Sequence, residues 1–100
     1  MMNEITTDEL AKKLNSGEKL SIIDVRENEE VAEGKIPGAT HIKLGEIPDR
    51  LNELDLAEHQ YMVCRSGGRS AKAAAFLAEK GYKVTNVAGG MLDWKEEVEK

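Results

Sequence analysis

The chain contains one cysteine, Cys64, which lies between an apolar run and a loop rich in arginine and glycine. The run before it, Tyr61–Val63, is typical of a buried strand, and residues 70–80 behind the loop are rich in strong helix formers. Free backbone N–H groups and the positive end of the helix dipole meet at the start of a helix and favour an anion there. The sequence therefore predicts a reactive thiolate at the junction of a strand and a helix.

The loop that follows Cys64 supplies the other groups of an anion site. Its two arginines add positive charge, and its two glycines allow positive φ angles that turn backbone N–H groups inward. A lone cysteine is often only a small buried hydrophobic residue, but such a residue does not need this loop. We therefore expect Cys64 to be a catalytic nucleophile. We assign anion binding to the residues that follow it: Arg65, Ser66, Gly67, Gly68, Arg69 and Ser70.

Composition excludes several classes of function. The 100 residues carry a net charge of −5, and this argues against a nucleic-acid partner, because binding phosphates requires a basic surface. No apolar run approaches the length of a membrane span, and the first residues lack the features of a secretory signal. One cysteine cannot form an internal disulfide, so we expect a cytoplasmic protein without a membrane partner. His41 and His59 lack a neighbour at ligand spacing, so we expect no metal.

Strands and helices alternate along the chain, which predicts one α/β domain over residues 1–100 with a mostly parallel sheet. The expected strands are residues 3–5 at an edge, 20–25 in the centre, 40–42, 61–63 and 84–87. The expected helices are residues 7–15, 27–33, 46–54, 70–80 and 91–98. Thr6 and Glu9 have the spacing of a capping box for the first helix. Ligands bind beyond the carboxyl ends of parallel strands, so residues 24–26 and Cys64 are expected to face one site.

The charged residues near this site allow alternative roles. Arg65 either contacts the substrate or is simply solvated. Arg69 is expected to brace the loop, with Asp24 as its partner, but Asp24 could equally cap the helix that follows it. Arg26 either lines the mouth of the site or pairs with an acidic residue of that helix, Glu29 or Glu30. We place Asp24 and Arg26 in the support of the site.

Four segments together resemble the rhodanese family. They are Asp24-Val25-Arg26, Gly34-x-Ile36-Pro37-Gly38-Ala39, the loop Cys64–Ser70 and Gly89-Gly90-Met91-x-x-Trp94. The resemblance covers essentially the whole chain and implies a single rhodanese domain, with a five-stranded sheet flanked by helices on both faces. Lys35 stands where many members carry histidine, which we interpret as a surface change.

The resemblance also implies an activity, the transfer of a sulfane sulfur through a persulfide on Cys64, without a cofactor. The donor would be thiosulfate or a persulfide. The acceptor would be cyanide or an external thiol, such as a thioredoxin-like or sulfur-carrier protein, because the chain has no second cysteine.

Two other functions compete with sulfur transfer. A cysteine-dependent phosphatase or arsenate reductase also holds an oxyanion at the start of a helix. However, the phosphatase signature separates cysteine and arginine by five residues, and here four residues separate Cys64 from Arg69. A persulfide presents one sulfur and suits the tighter loop, whereas a phosphoryl group needs donors to three oxygens. The third function is a non-catalytic binding module, because fold alone does not establish activity.

Overall fold

The computed structural model describes residues 3–100, and its centre is a five-stranded parallel sheet with strand order β1-β5-β4-β2-β3. The strands are β1 (Asn3–Thr6), β2 (Ser21–Asp24), β3 (Thr40–His41), β4 (His59–Val63) and β5 (Lys83–Ala88). This confirms the predicted α/β class, the parallel sheet and the edge position of the first strand. The carboxyl ends of β2 and β4 are adjacent, because Asp24 is in register with Val63.

Helices cover both faces of the sheet and divide the core into two parts. They are α1 (Thr7–Asn15), α2 (Asn28–Ala32), α3 (Gly68–Glu79) and α4 (Gly90–Asp93), with a 3₁₀ segment at Leu44–Glu53. Successive strand residues point to opposite faces. Ile23 and Met62 therefore pack in the core that includes Leu77 of α3, and Ile22 and Val63 pack in the core that includes α1.

The first helix begins as its sequence predicts. The Thr6 hydroxyl accepts from the Glu9 backbone N–H at 3.1 Å, and the Glu9 carboxylate accepts from the Thr6 N–H at 2.9 Å. Ile5 and Leu10, on either side of this cap, are buried in the same core. The helical segment predicted over residues 46–54 is present as a 3₁₀ helix, Leu44–Glu53, which is interrupted at Arg50 and contains Pro48, a residue with no N–H to donate.

The predicted terminal helix over residues 91–98 is wrong beyond Asp93, where α4 ends. Glu99 instead exchanges two backbone hydrogen bonds with Lys35, each of 2.9 Å. Its carboxylate accepts from Lys35 Nζ at 2.5 Å and from the Gly38 N–H at 2.8 Å. Three glutamates in the last five residues would also oppose the dipole at a helix C-terminus. The tail is therefore fixed against the Ile36–Ala39 turn.

None of the helices within residues 3–100 combines the length and the apolar character that crossing a bilayer requires.

Candidate active site

Cys64 follows directly after β4, and only 1% of its surface is exposed. Its Sγ atom accepts a hydrogen bond from the Gly67 N–H at 3.1 Å, and it lies 3.3 Å from the Ser70 hydroxyl oxygen. The strand–helix junction is shorter than predicted, because α3 begins at Gly68 rather than at Ser70. Of the two loop glycines only Gly67 has a positive φ, +107°, while Gly68 starts the helix.

The surroundings of Cys64 act on its pKa in two directions. Burial raises the pKa of the thiol, because a thiolate is poorly solvated there. Hydrogen bonds from the Ser70 side chain and from the backbone N–H groups of Ser70, Gly67 and Ser66 outweigh burial, so the net pKa is lowered. The lowered pKa agrees with the sequence prediction. The largest contributions that lower it come from hydrogen-bond donors, and the charge of Arg69 also interacts with that of Cys64.

We expect the alkylation rate of Cys64 to titrate below the free-cysteine pKa of about 8.5. The measurement is the rate of reaction with iodoacetamide as a function of pH, with a cysteine peptide as control. Because the folded pKa is depressed, the thiolate contributes stability that is fully present above the unfolded pKa and is lost as the pH falls through the folded pKa. A midpoint equal to that of the peptide would contradict the prediction.

A second backbone segment holds the loop from the other side. The first N–H groups of α4 donate to the loop carbonyls, from Met91 to Cys64 and from Leu92 to Arg65, each at 2.9 Å. A Cβ atom on Gly90 would lie 2.3 Å from the Cys64 carbonyl oxygen, so only glycine allows this approach. In the sequence, Gly89 and Gly90 stood out only as part of a family-like segment, and this role was not predicted.

Asp24 and Arg26 form a buried ion pair with each other, which corrects both alternatives for Asp24 and the predicted pairing of Arg26 with Glu29 or Glu30. The Arg26 guanidinium donates to Asp24 through Nε at 3.0 and 3.1 Å and through Nη2 at 2.8 Å. Arg26 also donates to the carbonyls of Gly34, at 2.8 Å, and Glu30, at 3.3 Å. Asp24 therefore neither caps α2 nor braces Arg69. The pair ties the end of β2 to the chain around α2, beside the site.

Arg69 is braced by Glu30 of α2 rather than by Asp24. Two parallel hydrogen bonds of 2.6 and 2.7 Å join the guanidinium to the carboxylate. Arg69 thereby lowers the pKa of Glu30 to about 2, so this carboxylate is charged at neutral pH. The sequence places an acidic helix before the loop but cannot show which of its glutamates reaches Arg69.

Arg65 lies at the mouth of the site and is exposed. Among residues 3–100, no carboxylate lies within 4.0 Å of its guanidinium. It borders a shallow depression whose other lining residues come from the α2 region and from α4: Arg26, Glu30, Glu33, Met91 and Leu92. Arg65 is thus the loop cation that is available to an incoming anion.

Asn86 of β5 reaches the loop from below, and its role was not predicted from the sequence. It is buried, and its amide contacts both Ser70 and Gly67. The available signal was an amide inside the otherwise apolar and β-branched run Val84–Val87. Over the described residues 3–100, no group of three or more His, Cys, Asp or Glu side chains is placed to hold a metal ion.

Comparison with known proteins decides the family. The sequence pattern of the family described as "Rhodanese-like domain" matches residues 6–97. The chain belongs to the rhodanese-like domain family. YtwF of Bacillus subtilis is 47% identical over 96 residues, which cover 96% of this chain and 93% of the relative. A protein of Allochromatium vinosum named "Sulfurtransferase" is 37% identical, with 94% of this chain and 89% of the relative covered.

A solved rhodanese-like structure has the same fold. The crystal structure of a rhodanese-like domain protein from Staphylococcus aureus matches with a TM-score of 0.93 and 45% sequence identity. The match covers 98% of this chain and 97% of that chain. The predicted fold is therefore confirmed as that of a rhodanese-like domain.

Proposed function

We propose that the chain is a single-domain sulfurtransferase, over residues 1–100, which carries a sulfane sulfur as a persulfide on Cys64. The observation that carries this proposal is the single thiol of the chain, held by loop N–H donors where β4 meets α3. Membership of the rhodanese-like family and the sulfurtransferase name of a relative support it.

The reaction has two displacement steps. The Cys64 thiolate attacks the outer sulfur of thiosulfate, the sulfur–sulfur bond of the donor breaks, and sulfite leaves with the bonding electron pair. The new persulfide carries its negative charge one atom further out, where the loop N–H groups of residues 65–70 stabilise it. A second nucleophile, cyanide or a thiolate, then attacks the outer sulfur and returns Cys64 to the thiolate.

The partners follow from this chemistry. The donor is a small anion, thiosulfate or a persulfide, which the exposed Arg65 guanidinium can bind. Because the chain has no second cysteine to resolve the persulfide, the acceptor is external, a low-molecular-weight thiol, a thioredoxin-like protein or a sulfur carrier. No step needs a metal or an organic cofactor.

Intact mass spectrometry tests the proposal. We expect thiosulfate to add one sulfur atom to the protein with release of one sulfite, and we expect excess cyanide or a small thiol to remove that sulfur. An unchanged mass, with the thiol still open to alkylation, would contradict the proposal that thiosulfate is the sulfur donor.

As a control for the competing function, the same protein should not hydrolyse an aryl phosphate. Hydrolysis that alkylation of Cys64 abolishes would favour the phosphatase function instead.

Breaking the Arg69–Glu30 ion pair is expected to improve the binding of thiosulfate. Glu30 neutralises Arg69, so a dianionic donor meets one available loop cation. Replacing Glu30 with glutamine should release Arg69 and lower KM for thiosulfate several-fold, with a smaller change in kcat, as expected for added ground-state binding. Steady-state kinetics at low ionic strength provides the measurement, because salt screens exposed charges.

The matched control is Glu29→Gln. It removes the same charge from the same helix, but Glu29 is exposed and makes no ion pair within residues 3–100. Equal effects of the two variants would show that net charge alone sets the affinity for thiosulfate, and would refute a specific role of the pair.

A further inference from the structure

A buried amide lies beneath the active-site loop and joins three elements. Asn86 of β5 is 2% exposed. Its Oδ1 atom lies 2.6 Å from Ser70 Oγ, and its Nδ2 atom lies 3.2 Å from the Gly67 carbonyl oxygen and 3.3 Å from a carboxylate oxygen of Glu4 in β1. A buried polar side chain in a strand is unfavourable unless its hydrogen bonds are made, and here they are made to the loop.

The neighbours of Asn86 fix its orientation. The Gly67 carbonyl and the Glu4 carboxylate only accept hydrogen bonds, so the amide must point its NH₂ group toward them. The Oδ1 atom therefore faces Ser70. Because Oδ1 carries no hydrogen, the short contact uses the single proton of the Ser70 hydroxyl.

The same hydroxyl oxygen lies 3.3 Å from Cys64 Sγ. While the Ser70 hydroxyl donates its hydrogen bond to Asn86, its oxygen presents a lone pair to the sulfur. That arrangement suits a neutral S–H donor and not a thiolate. When Cys64 ionises, the hydroxyl must turn its proton from Asn86 to the sulfur. Asn86 and Cys64 thus compete for one proton.

We propose that Asn86 is a positioning residue that acts through Ser70 by withholding the hydroxyl proton from the free Cys64 thiolate. Once Cys64 carries a persulfide, the charge lies on the outer sulfur. The Ser70 hydroxyl can then donate to Asn86 again, because Sγ no longer needs a hydrogen bond to stabilise a negative charge. Asn86 thereby favours the sulfur-loaded form over the free thiolate. This consequence rests on the proposed function, whereas the competition for the proton is a property of the free thiol.

The contacts of Asn86 indicate that the fold tolerates its removal. The Gly67 carbonyl also accepts from the Ala71 N–H at 3.1 Å, within the first turn of α3. Glu4 is exposed, so water can replace the amide at its carboxylate. Without Asn86, the group left unpartnered is the Ser70 hydroxyl, which can turn to Cys64.

Several charged groups also lie around the loop. These groups are Glu4 of β1, Asp24 at the end of β2, Arg26 after it, Glu30 of α2, and Arg65 and Arg69 of the loop and α3. None of them is changed in the variants used below.

The test measures the pH dependence of Cys64 alkylation by iodoacetamide in three variants. Asn86→Ala should lower the midpoint by about half a unit to one unit, since the thiolate gains the hydroxyl without competition. Ser70→Ala should raise the midpoint, because a donor to the thiolate is lost. In the double variant the midpoint should equal that of Ser70→Ala, because Asn86 acts only through the hydroxyl.

Three results would overturn the proposal. An unchanged or raised midpoint in Asn86→Ala would show that the amide does not compete for the hydroxyl proton and only supports the loop through the Gly67 carbonyl. A shift that persists in the Ser70→Ala background would show that Asn86 acts by another route. If circular dichroism showed that Asn86→Ala and Asn86→Leu are both unfolded, the amide would be required for the fold. Alkylation needs no sulfur donor, so a predicted shift without sulfur transfer would refute only the proposed function.

Discussion

Replacing Cys64 with serine should abolish sulfur uptake from thiosulfate and sulfite release, lowering turnover by at least about a thousandfold, as loss of a catalytic nucleophile does. A serine hydroxyl is far less acidic than a thiol and cannot carry the outer sulfur as a persulfide. Because serine has nearly the same shape as cysteine and its oxygen can accept from the Gly67 N–H, we expect the fold to survive. The measurements are the intact mass after exposure to thiosulfate and the rate of sulfite formation.

A chemical control accompanies this variant. Unaltered protein alkylated at its single thiol should be as inactive as Cys64→Ser, and both should keep the circular dichroism spectrum of the unaltered protein. Turnover above the buffer blank in the serine variant would mean that another group accepts the sulfur, and the mechanism would then be wrong.

The second large effect concerns the buried ion pair. Asp24 is fully buried and Arg26 is 6% exposed. Replacing Asp24 with asparagine leaves a buried guanidinium without its counter-charge, which typically costs about 3–5 kcal/mol. For a domain of this size, that loss should lower the melting midpoint by about 10 °C or more. Thermal unfolding followed by circular dichroism measures it.

A double-mutant cycle that combines Asp24→Asn with Arg26→Met separates the interaction energy of the pair from the contributions of its surroundings. Removing both charges should cost much less than the sum of the two single changes, because neither charge is then left alone. Glu53→Gln is the matched control. It breaks the exposed 2.7 Å pair with Arg50, and the midpoint should remain almost unchanged. Additive effects in the Asp24–Arg26 cycle would contradict the assignment.

Local interactions made much of this protein predictable from its sequence. The capping box at Thr6 and Glu9 depends on residues three apart, and the strand before Cys64 depends on a continuous apolar run, so both follow from short-range rules. The position of the thiol at a strand–helix junction follows for the same reason. The sequence also determined that a persulfide could not be resolved internally, because the chain has one cysteine.

Predictions were wrong where distant contacts override local preference. The last residues have helix-forming composition, but pairing with Lys35, 64 positions away, holds Glu99 in an extended segment. Arg69 had several acidic residues within its plausible reach, and the placement of α2 selected Glu30. Asp24 and Arg26 are two residues apart in the chain, yet their pairing follows from burial at the end of β2, where each is the ion-pair partner of the other.

The contribution of Asn86 was decided by the tertiary structure alone. Nothing in the run Val84–Val87 shows that β5 lies beside β4, or that its amide faces the start of α3. Parallel strands bring residues together that are far apart in sequence, and here 16 positions separate Ser70 from its partner. The sequence by itself indicated which group we propose as the nucleophile and the type of loop that holds it. The tertiary structure decided which side chains share protons and charges with that loop, because those partners depend on the packing of elements and not on their spacing.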